Sequence, residues 1–338
     1  MTFADILLKL ADSQDLTADE ATWALTSIIS GEVPESQIAA FLFGMRAKGE
    51  RIHELTAFVN VMRQASIKVD VDVTGAVDVC GTGGDHSGSF NISTTVAFVV
   101  AGAGVPVVKH GNRSMSSLSG SADVLEALGA VAMLEKEKAE QVYRDTGITF
   151  LFAPLYHPAM KHVGPVRRSL GMRTFFNILG PLLNPAGVKR QIIGAYSRET
   201  ASTMAQILAH LDIEAAATVY SHDGLDELST TASAEVHEVR GRLLTSPYHL
   251  DATDFGFSRA GTDDLKGGDA VENARILRSI LAGAGTQAQM HVVLLNAGKA
   301  IEVSGLAGDL REGIRRAEES LSSGAALSKL DAFIEASR

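Results

Sequence analysis

Along the first 66 residues apolar positions recur at helical spacing. Thr17-Ala-Asp-Glu20 has the form of a capping box and opens a helix through about Ser30, where Gly31 stops it. Pro34 precedes a second helix, Glu35–Lys48, with Ile38, Phe41, Leu42 and Met45 on one face and Gly49 as its stop. A further helix runs from about Ile52 to Ala65. So short and apolar a block should pack on the rest of the chain or on a second subunit.

From Val77 the period changes. Short β-branched runs, 77–80, 106–109, 148–152, 191–196 and 216–221, alternate with helical stretches, one of them Thr94–Gly104. That alternation predicts a mostly parallel sheet flanked by helices. The runs 234–240 and 242–250 read as an antiparallel excursion, and about 269–337 is helical again, with Gly268-Asp269 at its start. The expectation is an α/β chain. A small, mostly helical domain covers 1–68 with a contribution from about 158–190, and a larger α/β domain covers 69–338.

Two glycine loops follow strand signals: GTGGD at Gly81–Asp85 and KHGNRS at Lys109–Ser114. Glycine lets a backbone approach a ligand and aim successive N–H groups at it. Such loops at strand ends bind phosphates in open α/β sheets. The first is not a dinucleotide fingerprint, because Asp85 falls where a third glycine belongs, and no G-K-[ST] follows for a P-loop. Either loop alone could be a plain tight turn. Both together, with a lysine, an arginine and many hydroxyls, predict a ligand phosphorylated at two places.

Composition narrows the classes. The 338 residues are 46% apolar and carry a formal net charge of −10, which argues against a nucleic-acid partner. The basic stretch 161–173 is short and mixed with apolar residues. No apolar run reaches membrane-spanning length. Cys80 is the only cysteine, so no intrachain disulfide can form. With no apolar leader, this predicts a cytoplasmic location. Cys80 itself reads as a buried, inert thiol.

The combination of GTGGD, NIST, KHGNRS, GSADVLEALG, RTFFNILGPLLNPA and HDGLDEL resembles the anthranilate phosphoribosyltransferase family of tryptophan biosynthesis, over nearly the whole chain. Thymidine and pyrimidine phosphorylases share the fold, but their Lys-His-Ser-Thr-Gly-Gly pattern is absent here. The resemblance implies an Mg2+-dependent transfer of phosphoribose from phosphoribosyl pyrophosphate to the amine of anthranilate. It also implies a homodimer through the helical domain.

Residue by residue, the resemblance implies phosphoribosyl pyrophosphate contacts at Gly81, Gly84, Asp85, Ser89, Asn91, Ile92, Ser93, Thr94, Lys109, His110, Gly111, Asn112, Arg113, Ser114, Ser116, Ser117 and Ser121. Anthranilate contacts are implied at Gly81, Asn112 and Arg167, and Mg2+ ligands at Ser93, Asp226 and Glu227. Oxygen-only ligands after a strand end suit Mg2+, and an arginine suits a carboxylate. Taken from residue type alone, Ser89, Asn91, Ser93 and Thr94 could equally cap a helix, and Asp226-Glu227 could be a solvated turn. Arg167 and Arg168 could be surface charges, and His110 could pack under its loop. Tyr156, His157 and Pro158 could wall an aromatic pocket that Gly180-Pro181 closes. Leu118 stands where relatives commonly carry lysine. No general base is identified. Anthranilate's neutral aromatic amine is already nucleophilic and needs none. Two alternatives stand beside this reading: a nucleoside phosphorylase of the same fold, and a non-catalytic relative that binds nucleic acid.

Overall fold

The computed structural model describes residues 1–85, 87–113 and 118–338. Two compact units result: Met1–Ile67 with Pro154–Leu183, and Lys68–Ala153 with Asn184–Arg338.

In the first unit, helices α1 (Phe3–Ala11), α2 (Ala18–Ile29), α3 (Glu35–Lys48) and α4 (Ile52–Ala65) follow in order. Thr2 with Asp5, and Thr17 with Glu20, form reciprocal capping boxes at α1 and α2. Gly49 ends α3 at φ 84°, a conformation that favours glycine. The stripe expected on α3 is fully inside: Ile38, Phe41, Leu42 and Met45 are all buried. The block packs on a later part of the chain, one of the two arrangements its short, apolar character predicts. The segment 154–183 supplies the missing cover. Phe175 stacks on Phe58 at 4.5 Å between ring centroids, and Phe41 meets both edge-on at 6.0 and 6.2 Å. Each buried phenylalanine is worth roughly 1.5–3 kcal/mol of burial. Leu8 and Phe43 are the large apolar side chains left well exposed on α1 and α3.

The second unit is built on an eight-stranded sheet among the described residues. In chain order it comprises β1 (Val77–Gly81), α5 (Ile92–Gly102), β2 (Val107–Gly111), α6 (Ser121–Ala127), α7 (Lys136–Thr146) and β3 (Ile148–Phe152). The excursion α8 (Ala153–Tyr156), α9 (Gly164–Leu170) and α10 (Phe176–Leu179) intervenes. Then come β4 (Arg190–Gly194), α11 (Arg198–Ala209), β5 (Ala215–Ser221), β6 (Ala234–Arg240), β7 (Leu243–Leu244) and β8 (Tyr248–Leu250). Helices α12 (Ala270–Leu281), α13 (Gln287–Ser304), α14 (Leu310–Ser322) and α15 (Ala325–Ser337) complete the chain.

Strand order is β3-β2-β1-β4-β5-β6-β7, with β8 also on β6. The pairs from β3 to β5 are parallel, and those of β6 are antiparallel. The expected single run 242–250 is broken into β7 and β8. Pro247 between them has no N–H to donate to a ladder. Helix α5 starts at Ile92, two residues before its expected start, and it packs on α13 and α15. Gly102 has no room for a Cβ against the Ala326 backbone, which is how α5 comes so close. The strand order reverses between β1 and β4, and such a switch point is where ligands collect in open sheets.

Candidate functional site

The C-terminal ends of β1, β4 and β5 bring the first glycine loop against the acidic loop. Gly83 and Gly84 adopt φ of 64° and 72°, so this turn requires glycine. The Gly83 N–H donates to Asp226 Oδ2 at 2.8 Å. A Cβ on Gly81 would lie 2.5 Å from that same oxygen, and Gly194 has no room for one against the Asp226 carbonyl. Two of the glycines thus exist to let Asp226 in. Residues 143 positions apart in sequence share one hydrogen bond.

Around Asp226 the acidic loop is tied down. Asp223 accepts from Leu225 N at 3.1 Å and from Ser229 Oγ at 2.6 Å. Ser221 Oγ donates to Glu227 O at 2.6 Å, and Leu228 N donates to Asn296 Oδ1 at 2.9 Å. Asp223 is therefore consumed in building the turn, whereas Asp226 and Glu227 keep oxygens for other work. Ligand oxygens of Asp85, Asp226 and Glu227 all lie within 4.8 Å of one another. Asp85 Oδ2 and Glu227 Oε2 are buried with no hydrogen-bond partner. Burial, reinforced by the charge of Asp85, pushes Asp226 up to about 6. Burial, then Asp226 and Asp85, push Glu227 well above the usual carboxylate range. Three converging carboxylates with orphaned buried oxygens fit a hard divalent cation such as Mg2+.

The second glycine loop leaves β2 beside the first. Lys109 is buried, and its Nζ donates to Val79 O and to Ser93 Oγ at 3.2 Å. Burial lowers its pKa, opposed by the charges of Asp78, Glu227 and Asp226. Beneath it lies Asp78, fully buried in β1. Asp78 accepts from His110 N at 3.1 Å and from Asn184 Nδ2 at 2.9 Å. Burial pushes Asp78 up to about 6 against those hydrogen bonds. Asn184 also donates to Val108 O and accepts from Ala186 N. Neither Asp78 nor Asn184 is assigned a role from the sequence. A lone aspartate inside the apolar run 77–80, and the asparagine of the motif around 184, were the available signals. Cys80 is buried and burial pushes its thiol up, so it has no thiolate character.

The remaining expected residues divide. Asn91 caps α5 by position, but its side chain makes no capping bond. It donates instead to Ser119 O at 3.2 Å. Thr94 Oγ1 donates to Ser121 Oγ at 3.1 Å, a second link from α5 to the far side of the second loop. Ser89 pairs with Lys266 in an isolated bridge, Ile92 is buried and Gly111 backs onto Phe150. Asn112 turns its Oδ1 to the next N–H, that of Arg113, at 2.7 Å. Arg113 is committed to Asp123 and Glu126, at 2.7 and 2.6 Å. Leu118 is 82% exposed. Ser114, Ser116 and Ser117 lie outside the described residues. Arg167 sits in α9 of the helical unit. It is half-buried, with its guanidinium 5.2 Å from the Phe176 ring centroid, and burial lowers its pKa. Arg168, next to it, is exposed.

The described geometry matches known proteins throughout. Residues 73–327 match the glycosyl transferase family, a/b domain, and residues 4–66 match the helical bundle domain of the same family. A relative from Salinibacter ruber named anthranilate phosphoribosyltransferase is 47% identical over 336 residues, covering 98% of each chain. The chain belongs to the anthranilate phosphoribosyltransferase family. A second member, from Azorhizobium caulinodans, is also 47% identical, over 99% of this chain and 97% of its own. The crystal structure of anthranilate phosphoribosyltransferase from Thermus thermophilus superposes with a TM-score of 0.91 at 38% identity, covering 98% of each chain. The Saccharomyces cerevisiae anthranilate phosphoribosyltransferase in complex with PRPP and Mg also reaches 0.91, at 29% identity, over 99% of this chain and 97% of that one. Among the described residues, no helix is long and apolar enough to cross a membrane.

Proposed function

We propose that this protein transfers the phosphoribosyl group of 5-phosphoribosyl 1-pyrophosphate to the amine of anthranilate, giving N-(5-phosphoribosyl)anthranilate and pyrophosphate, in tryptophan biosynthesis. The observation that carries the reading is the bond from Gly83 N–H to Asp226 Oδ2. It joins the phosphate-type loop to the acidic loop in one constellation.

Cleaving the ribosyl–pyrophosphate bond develops positive charge on the sugar and negative charge on the leaving group. Catalysis is therefore positioning and electrostatic stabilisation. The backbone donors of Gly81, Gly84 and Asp85, with Ser89, Asn91, Ile92, Ser93, Thr94 and the start of α5, receive the phosphates. The same reading gives the substrate further contacts at Lys109, His110, Gly111, Asn112, Arg113, Ser114, Ser116, Ser117 and Ser121. Ser93, Asp226 and Glu227 would hold Mg2+, a reading supported by the carboxylate of Asp85, which converges with those of Asp226 and Glu227. Held there, Mg2+ would supply positive charge to offset the negative charge that develops on pyrophosphate. Lys109, held on Ser93 Oγ, adds a second positive charge beside it. Arg113 is engaged with Asp123 and Glu126, so its part is to shape the loop from behind. Gly81, Asn112 and Arg167 take anthranilate, with Arg167 matched to its carboxylate.

The working form is a homodimer through the helical unit, supported by the exposed Leu8 and Phe43. The location is cytoplasmic. Mixing the protein with anthranilate, phosphoribosyl pyrophosphate and Mg2+ should consume anthranilate fluorescence. If instead the protein cleaves nucleosides with orthophosphate, or shifts single-stranded DNA in a salt-dependent way, the reading is wrong.

A further inference from the structure

We propose that Asn273 is a positioning residue that sets the orientation of the Asn91 amide and so couples the two glycine loops for phosphoribosyl pyrophosphate binding. The inference rests on the function proposed above, in which Asn91 contacts that substrate.

Asn273 lies in the first turn of α12, only 2% exposed, and every polar atom of its side chain is used. Oδ1 accepts from Gly268 N at 2.8 Å. Nδ2 donates to Gly268 O at 3.2 Å and to Asn91 Oδ1 at 3.0 Å. The Gly268 contacts fix which end of the Asn273 amide is the donor, because a backbone N–H can only donate and a carbonyl can only accept. That in turn fixes Asn91, whose Oδ1 must face the donor. Its Nδ2 is thereby aimed at Ser119 O, 3.2 Å away beyond the second loop. The polarity is thus relayed from α12 to Asn91 and on to Ser119. Nothing in Asn91's own neighbourhood in sequence would impose it.

The backbone around this relay is just as tight. Gly267 N donates to Gly88 O at 2.9 Å, and Phe90 N donates to Leu265 O at 3.1 Å. A Cβ on Gly267 would lie 2.7 Å from Phe90 Cα. Segment 265–273 therefore backs residues 88–91 of the substrate loop, and Asn273 is where that backing reaches a side chain of the loop.

Asn273→Asp separates positioning from mere support. It keeps the volume and the acceptor for Gly268 N, but it puts an acceptor opposite Asn91 Oδ1. An amide turned to satisfy it would face its oxygen at Ser119 O. The KM for phosphoribosyl pyrophosphate should rise about tenfold, with the KM for anthranilate within about twofold. Asn273→Ala should raise the same KM less, since it removes the donor without adding repulsion. Arg275→Ala on the same helix should leave both constants unchanged. Thermal melting of each variant reports folding independently. Equal KM values for Asn273→Asp and wild type, or a matching rise for both substrates, would overturn the inference. A wild-type protein that makes no phosphoribosylanthranilate would overturn the functional reading instead.

Discussion

The helical unit and the α/β unit each hold a glutamate with carboxylate oxygen shielded from solvent, and the two are treated in opposite ways. Glu54 in α4 is fully buried, yet both its oxygens are satisfied. Oε1 accepts from Leu16 N at 2.7 Å, and Oε2 accepts from Arg51 N at 2.7 Å and Lys48 Nζ at 2.8 Å. Glu227 is half-buried, but its shielded Oε2 has no partner, and Asp226 and Asp85 crowd it with like charge. Burying an unpaired polar atom is costly. A fold tolerates that cost where something else completes the group. A satisfied buried acid marks structure, and an unsatisfied cluster marks a place for a ligand.

Removing the cluster should produce the largest effect. Asp226→Asn with Glu227→Gln should lower kcat/KM by about a thousandfold or more, since the leaving-group charge then goes unneutralised. In metal-free buffer the same variant should melt no lower than wild type, because it relieves buried like charges. A variant that is both active and unchanged in melting would erase the contrast with Glu54.

The opposite pattern is expected of Glu54→Ala. It takes a carboxylate from the buried Lys48 and strands the N–H groups of Leu16 and Arg51, so stability should fall by about 3–5 kcal/mol in urea unfolding. The KM values of the protein that remains folded should not move. A change in either KM would mean that the helical glutamate is more than structural.

Arg167→Ala should raise the KM for anthranilate about tenfold, with phosphoribosyl pyrophosphate little affected. The exposed Arg168 is the control, and Arg168→Ala should be nearly neutral. If the two effects are reversed, the carboxylate is read by the other arginine.

The smallest effect is one of pH. Asp226 is pushed up to about 6 and Glu227 well above the usual carboxylate range, so the folded chain binds protons more tightly than the unfolded chain. Their contribution to metal-free stability is greatest at acid pH and declines as pH rises through about 6. Mg2+ should therefore bind more tightly above that pH and release protons as it binds. Calorimetry at pH 6 in two buffers of different ionisation heat should detect the release. Identical heats in both would mean the carboxylates are already ionised.

Much of the architecture was legible because it is local. Thr17 with Glu20, Gly49 after Lys48, and the buried β-branched run 148–152 each carry their own signal within a few residues. The two glycine loops were legible for the same reason. The resemblance assigns about 158–190 to the helical domain, but the ring contacts by which 154–183 covers Phe41 and Phe58 were not legible, because a stack such as Phe58 on Phe175 leaves no trace in either local pattern. Nor was the commitment of Arg113 to Asp123 and Glu126, since a charge says nothing about its partner.

By itself, then, the sequence determined the element types, the two loops, the acidic pair and the family, all of them short-range or motif-bound. Tertiary structure alone decided that Asp226 would sit against Gly81 and Gly83, that Asp78 would lie buried under His110, and that Asn273 would turn the amide of Asn91. Hydrogen-bond polarity and desolvation depend on which atoms converge in space, and those pairs are separated along the chain by 143, 32 and 182 positions.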